Sequence, residues 1–173
     1  PTAGNRVVTI TRLDDNGSNT GGNDNTAALS LVSTVTVVPV ADAPVNTVPG
    51  AQTVNEDTAL AFTGGNTISV NDVDGNLAST RLTVLNGTVS VSLAGGATIS
   101  AGAGGTSTLT LSGTQTQINA ALATMTYQGN LNFNGTDTLT VLSTDSTGKP
   151  LTDTDTVAIT TRVVAVSMAR MAR

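Results

Sequence analysis

Alternation of aliphatic with small polar residues constrains this chain more than any single motif in it. The stretches "RVVTITRL" (6–13), "LSLVSTVTVVPV" (29–40), "STRLTVLNGTVSVSL" (79–93), "TDTLTVLSTD" (136–145) and "LTDTDTVAITTRVVAV" (151–166) largely place an apolar side chain at every second position. A period of two puts those side chains on one face of an extended strand. Val, Ile and Thr suit a pleated surface, and Gly-, Asn- and Asp-rich segments between the runs suit turns. Shorter runs at 51–54, 58–63 and 67–70, two within 95–113, and "TYQ" after Met125 extend the series. The pattern predicts an all-β fold, a Greek-key β-sandwich. One segment breaks it. In "TQTQINAALATM" (114–125), Ile118, Leu122 and Met125 fall at helical spacing, and Thr114 with Gln117 matches a capping box. One short helix is expected there. Asn86-Gly87, flanked by alternating residues, predicts a two-residue type I′ hairpin turn.

Composition narrows the chemistry. Only 2% of residues are aromatic, so a core must be built from Val, Ile, Leu and Ala. Phe62, Tyr127 and Phe133 are expected in that core or at its corners. The chain has neither Cys nor His. This removes disulfides, thiol chemistry and the usual acid–base residue, and leaves zinc and haem without their common ligands. Carboxylate pairs can hydrolyse glycosides, but sugar sites need aromatic platforms that are absent here. No phosphate-cradling loop or nucleophile elbow stands in a suitable context. A non-catalytic protein is expected. A net charge of −5 opposes binding to nucleic acid or to anionic membranes. No apolar run reaches the ~18 residues of a membrane span, so no membrane insertion is expected. Absence of cysteine is compatible with export. The chain opens at Pro1 and reads as a fragment or a processed product.

The two ends resemble each other. "VVTITRLDD", loop, "STVTVVPVADAP" matches "TLTVLSTDS", loop, "DTVAITTRVVAV" in strand order and parity. Residues 1–41 therefore read as the C-terminal hairpin of a preceding repeat, 42–50 as a Pro-bearing linker, 51–166 as a complete sandwich repeat, and 167–173 ("SMARMAR") as a tail. An isolated hairpin is marginal in water. Residues 6–40 must pack on their own chain, be disordered, or complete another copy by strand complementation.

"NDVDGN" (71–76) follows the strand-like "TISV". Asp72, Asp74 and Asn76 present alternating oxygens, as a calcium loop would. An EF-hand is excluded, because its sixth and twelfth positions would be Leu77 and Thr83. The same residues are also good turn formers. If strands alternate up and down a sandwich, Asp72, Asp74, Asp145 and Asp42 converge at one end and Glu56 lies at the other. Asp153 and Asp155 are expected at a strand start, facing solvent. Asn16, Asn86 and Asn134 begin N-x-[ST] sequons that turn chemistry also explains.

"VNEDTALAF…TISVNDVDGN" resembles the cadherin pattern, with Glu56 sixteen residues before Asp72 and Asp42 just ahead of Pro44. "APVNTVPGAQTVNEDTALAF", "INAALATMTYQGNLNFNGTDTLTV" and "DTDTVAIT" resemble the cadherin-like or Ig-like tandem repeats of large bacterial surface proteins, including exported RTX-type adhesins. The resemblance covers about 35–162. It implies a secreted, cell-surface extender module. It also implies Ca²⁺ at an inter-repeat junction held by Asp72, Asp74, Asn76, Asp145 and Asp42, with Glu56 serving the next junction. The implied partners are neighbouring repeats, other copies of the chain, or a host or matrix ligand. Two other functions stay open. One is a self-assembling filament subunit that uses residues 6–40. The other is a carbohydrate- or protein-binding domain.

Overall fold

The computed structural model describes residues 4–14, 26–38 and 40–164, with 12–14 and 26–30 described by backbone only. The polar loop expected within 14–28, the Asn16 sequon and the 167–173 tail fall wholly or mainly outside these residues. The chain separates into two compact units, with the boundary between Val40 and Ala41.

The first unit is a hairpin of β1 (Gly4–Asp14) and β2 (Thr26–Val37), paired antiparallel from Gly4↔Val37 to Asp14↔Thr26 with one irregularity after Ile10.

The second unit is an all-β sandwich with one short helix. Its larger sheet has the order β4 (Gln52–Asn55), β13 (Thr152–Arg162), β12 (Gly135–Asp145), β7 (Leu77–Thr83), β10 (Thr108–Ser112), β9 (Thr98–Gly102). Its other layer comprises β5 (Leu60–Ala61), β11 (Thr126–Gly129) and β8 (Gly87–Ser90), together with a separate pair, β3 (Val45–Thr47) and β6 (Ser69–Asn71). One continuous core lies between the layers, and it is mainly aliphatic, as the composition requires. Leu82, Leu109, Leu111, Leu139, Ile159, Ile68 and Phe62 are all fully buried in it. Each such side chain contributes about 1.5–3 kcal/mol through removal from water.

The helix α1 (Gln115–Leu122) forms where the sequence places it. Thr114 Oγ1 accepts the Gln117 N–H and the Gln117 side chain accepts the Thr114 N–H, closing the expected capping box. Ile118 and Leu122 face the core, and Met125 is buried just beyond the helix. The polar face of α1 has a separate task. The Asn119 amide bonds both the N–H and the C=O of Val70, and Gln115 accepts the Asp72 N–H. Side chains of α1 thus satisfy the edge of β6 that β3 leaves open.

Three local expectations are corrected. The segment 79–93 is not a hairpin: β7 and β8 belong to different sheets, and Asn86-Gly87 lies where the chain crosses between layers. Neither residue has a positive φ, so no type I′ turn forms. The stretch 42–50 is not a free linker. Its centre is β3, paired with β6 and carrying buried Pro44 and Asn46. Third, Asp153 is not simply solvated. One of its carboxylate oxygens accepts the Asn46 N–H at 2.7 Å.

Candidate functional site

The buried polar residues of the sandwich collect near its two ends (Asp72 and Asp145; Asp137 and Thr161) and in one row between them (Asn46, Ser143, Thr80). On β12 the inward positions are Asp137, Leu139, Val141, Ser143 and Asp145, so a carboxylate terminates the core-facing row at each end.

At the end nearest Asp145, the "NDVDGN" segment closes on itself. Asp72 Oδ1 accepts the N–H groups of Asp74 (3.0 Å) and Gly75 (3.1 Å). Gly75 supplies the left-handed backbone, φ 69°. The Asn76 amide nitrogen, oriented to donate, lies 3.2 and 2.8 Å from the two Asp72 oxygens. Asp74 Oδ2 accepts the Asp42 N–H at 2.7 Å. The Asn76 carbonyl accepts the Ser146 N–H at 2.9 Å. Asp145 Oδ1 takes the N–H of Thr147 (3.2 Å), its hydroxyl (2.9 Å) and the N–H of Leu151 (2.9 Å). Burial alone would push the Asp145 carboxyl up. The bonds from Leu151 and Thr147 outweigh it and hold the group below its ordinary value of 3.8. Ionised Asp145 therefore supports the fold fully above that value, and its contribution is lost as pH falls through the lower folded one.

Asp42, Asp72, Asp74 and Asn76 thus join one hydrogen-bonded network, and Asp145 lies at the same end, next to the Ser146 N–H that bonds the Asn76 carbonyl. Glu56 stands apart from it. Its N–H bonds the Arg162 carbonyl and its carboxylate accepts the Val164 N–H, at the far end of β13. As for calcium, an all-protein cage needs six to eight oxygens. Among the described residues no three Asp or Glu side chains are gathered to hold an ion. Both Asp72 oxygens, Asp74 Oδ2 and Asp145 Oδ1 are occupied by hydrogen-bond donors. Asp145 Oδ2 is buried with no hydrogen-bond partner.

Two arrangements escaped the sequence reading. The first is Asn46 on β3. Its amide donates to the carbonyls of Asp153 (3.0 Å) and Val141 (3.4 Å), and its oxygen accepts the Ser143 hydroxyl. Ser143 in turn meets Thr80 Oγ1 at 3.0 Å, so a buried polar row bolts β3 to the larger sheet. The second is Asp137, 4% exposed. It accepts from Leu85 N (3.1 Å), Asn86 N (2.8 Å), Thr138 N (2.8 Å) and the Tyr127 hydroxyl (3.0 Å). Burial and the adjacent Asp137 carboxylate push the Tyr127 phenol from 10.0 up to about 12. Parity held the signal for Asp137, because it shares the inward phase of Leu139 and Val141. Asn46 gave none, lying between two prolines in a segment that reads as linker.

The aromatic residues offer no sugar platform: Phe62 and Tyr127 are buried and Phe133 is half-buried.

No curated protein matches the chain. A family model does: the Protein GAMETE EXPRESSED 2 domain matches residues 64–154, from just before β6 into β13. This is a eukaryotic family, and it overturns the resemblance to cadherin-like repeats of bacterial surface proteins and the bacterial adhesin assignment that went with it. The misleading features were the motifs "VNEDTALAF…TISVNDVDGN", "INAALATMTYQGNLNFNGTDTLTV" and "DTDTVAIT". With more than half of its 173 residues covered by the match, the chain belongs to the GAMETE EXPRESSED 2 domain family.

Proposed function

We propose that residues 41–164 act as a non-catalytic, load-bearing domain of an extracellular gamete protein. The observation that carries this reading is the parallel pairing of β4 with β13, from Ile159↔Gln52 to Arg162↔Asn55. The first lies near the unit's N-terminal end and the second at its C-terminal end. Tension applied at those ends slides the two strands past each other, so their hydrogen bonds are loaded together and not one by one. The Asn46 row adds a second tie from the N-terminal segment to β12 and β13. The acidic groups support the same reading. Asp72, Asp137, Asp145 and Asp153 are engaged by backbone N–H donors, which fixes loops and leaves no obvious acid–base pair.

Single-molecule extension tests it. Pulled from its ends, the sandwich is expected to yield in one event, releasing roughly 400 Å of chain at the ~3.3–3.6 Å per residue of an extended backbone. Gradual lengthening without a force peak would contradict it.

Calcium at the Asp72–Asp145 end is a separate proposal, supported by the unpartnered Asp145 Oδ2. It expects a higher melting midpoint in excess Ca²⁺ than in EGTA, because an ion held only by the folded state adds about 2.7 kcal/mol at a hundredfold excess over Kd. Superimposable melts would contradict it.

A further inference from the structure

From Gly4 to Ile10, ahead of its register shift, the hairpin β1–β2 repeats the pairing of β12–β13. Both β1 and β12 span 11 residues, begin with Gly and end with Asp. The pairing offset agrees as well: Gly4 faces Val37 as Gly135 faces Thr161. Counted from those glycines, Val8 occupies the position of Leu139, Ile10 that of Val141, and Val35 that of Ile159. Leu139, Val141 and Ile159 are fully buried, whereas Val8, Ile10 and Val35 are 53%, 44% and 53% exposed. Directly paired residues of an antiparallel ladder share a face. Arg6↔Val35, Val8↔Ser33 and Ile10↔Leu31 therefore form one face, which is the core face of the matching pair. Val7 and Val32 lie on the other, at the positions of Thr138 and Thr156, both exposed in the sandwich.

We propose that β1–β2 is the closing strand pair of a second β-sandwich built like residues 41–164, and that its Val8/Ile10/Val35 face docks on a sandwich lacking that pair. Register and phase identify the occupant: a layer equivalent to β5–β11–β8 with β3–β6. A second copy with β12–β13 in place has that site filled. Arg6 stands where Asp137 does, so the natural acceptor presents an oxygen where this sandwich presents the Tyr127 hydroxyl and the Leu85 and Asn86 N–H groups. The inference goes beyond the load-bearing reading and does not depend on it.

The test uses the full chain carrying Arg6→Asp, which gives the hairpin the inward carboxylate that Asp137 gives β12. The probe is a fragment of residues 42–134, the same sandwich without its closing pair. Hydrogen exchange at Val8, Ile10 and Val35 is expected to slow by about tenfold or more when the fragment is added. Val8→Asp with Ile10→Asp should abolish the slowing, and Val7→Asp with Val32→Asp should leave it. Unchanged exchange with a fragment that its own 135–164 peptide can close overturns the proposal. So does slowing that survives Val8→Asp with Ile10→Asp. Should the peptide fail to close the fragment, a graft decides: the matched hairpin replaces residues 135–161 in the full chain. Cooperative unfolding of the graft supports the proposal, and its loss overturns it.

Discussion

Asp137→Ala is expected to cost about 3–5 kcal/mol of folding stability, because it leaves several buried donors unsatisfied at about 1–3 kcal/mol each. Four donors lose their acceptor at once, and two of them, Leu85 N–H and Asn86 N–H, lie where the chain crosses between layers. Urea unfolding should show a large fall in midpoint. Tyr127→Phe removes only one of the four bonds and should cost about 0.5–1.5 kcal/mol, the usual net value of a hydrogen bond. The pair also sets an alkaline limit. The Tyr127 phenol is raised from 10.0 to about 12 in the fold. Its contribution is therefore complete below pH 10 and is lost as pH rises through about 12. That decline should be absent in Tyr127→Phe. An Asp137→Ala protein as stable as its parent would show that the crossing is held by something else.

Gly87→Ala is the second large effect. A Cβ there would sit 2.5 Å from the Gln128 carbonyl oxygen and 2.5 Å from Tyr127 Cε2. The carbonyl is backbone in β11, which pairs with β8, and the ring is held by Asp137. Neither can retreat cheaply, so a loss of about 2–3 kcal/mol is expected, at the upper end for overpacking. Gly148→Ala, in the turn between β12 and β13, meets open space and should change little. Equal effects of the two substitutions on the thermal midpoint would contradict the packing argument.

Gly87 also shows where the sequence was readable and where it was not. Period-two alternation marked nearly every strand, and the Thr114–Gln117 box marked α1, because both signals are local. What failed was partner choice. Asn-Gly between alternating runs is the common hairpin signal, yet this glycine serves a close approach by Tyr127, 40 residues away. Local sequence carries no record of that distance. Strand β3 was missed for a related reason: three residues between prolines give too short a pattern, and it is held by Asn46 bonds to β12 and β13. The end-to-end placement of Asp42, Asp72, Asp74 and Asp145 against Glu56 was legible from strand alternation alone. Which oxygens were already engaged by backbone N–H groups was not, because that depends on turn geometry. Family was misread from short motifs that resemble those of bacterial repeats.

The central claim is directional: the parallel β4–β13 pairing makes this sandwich resist tension along the line joining its ends. The native chain has no cysteine, so handles can be attached through introduced cysteines alone. One protein carries them at Ala41 and Val164. Another carries them at Thr98 and Ser112, facing partners at the open end of β9–β10, where pulling peels bonds successively. The account predicts a severalfold higher unfolding force for the first geometry than for the second. Equal forces, or a stronger β9–β10 hairpin, would contradict it.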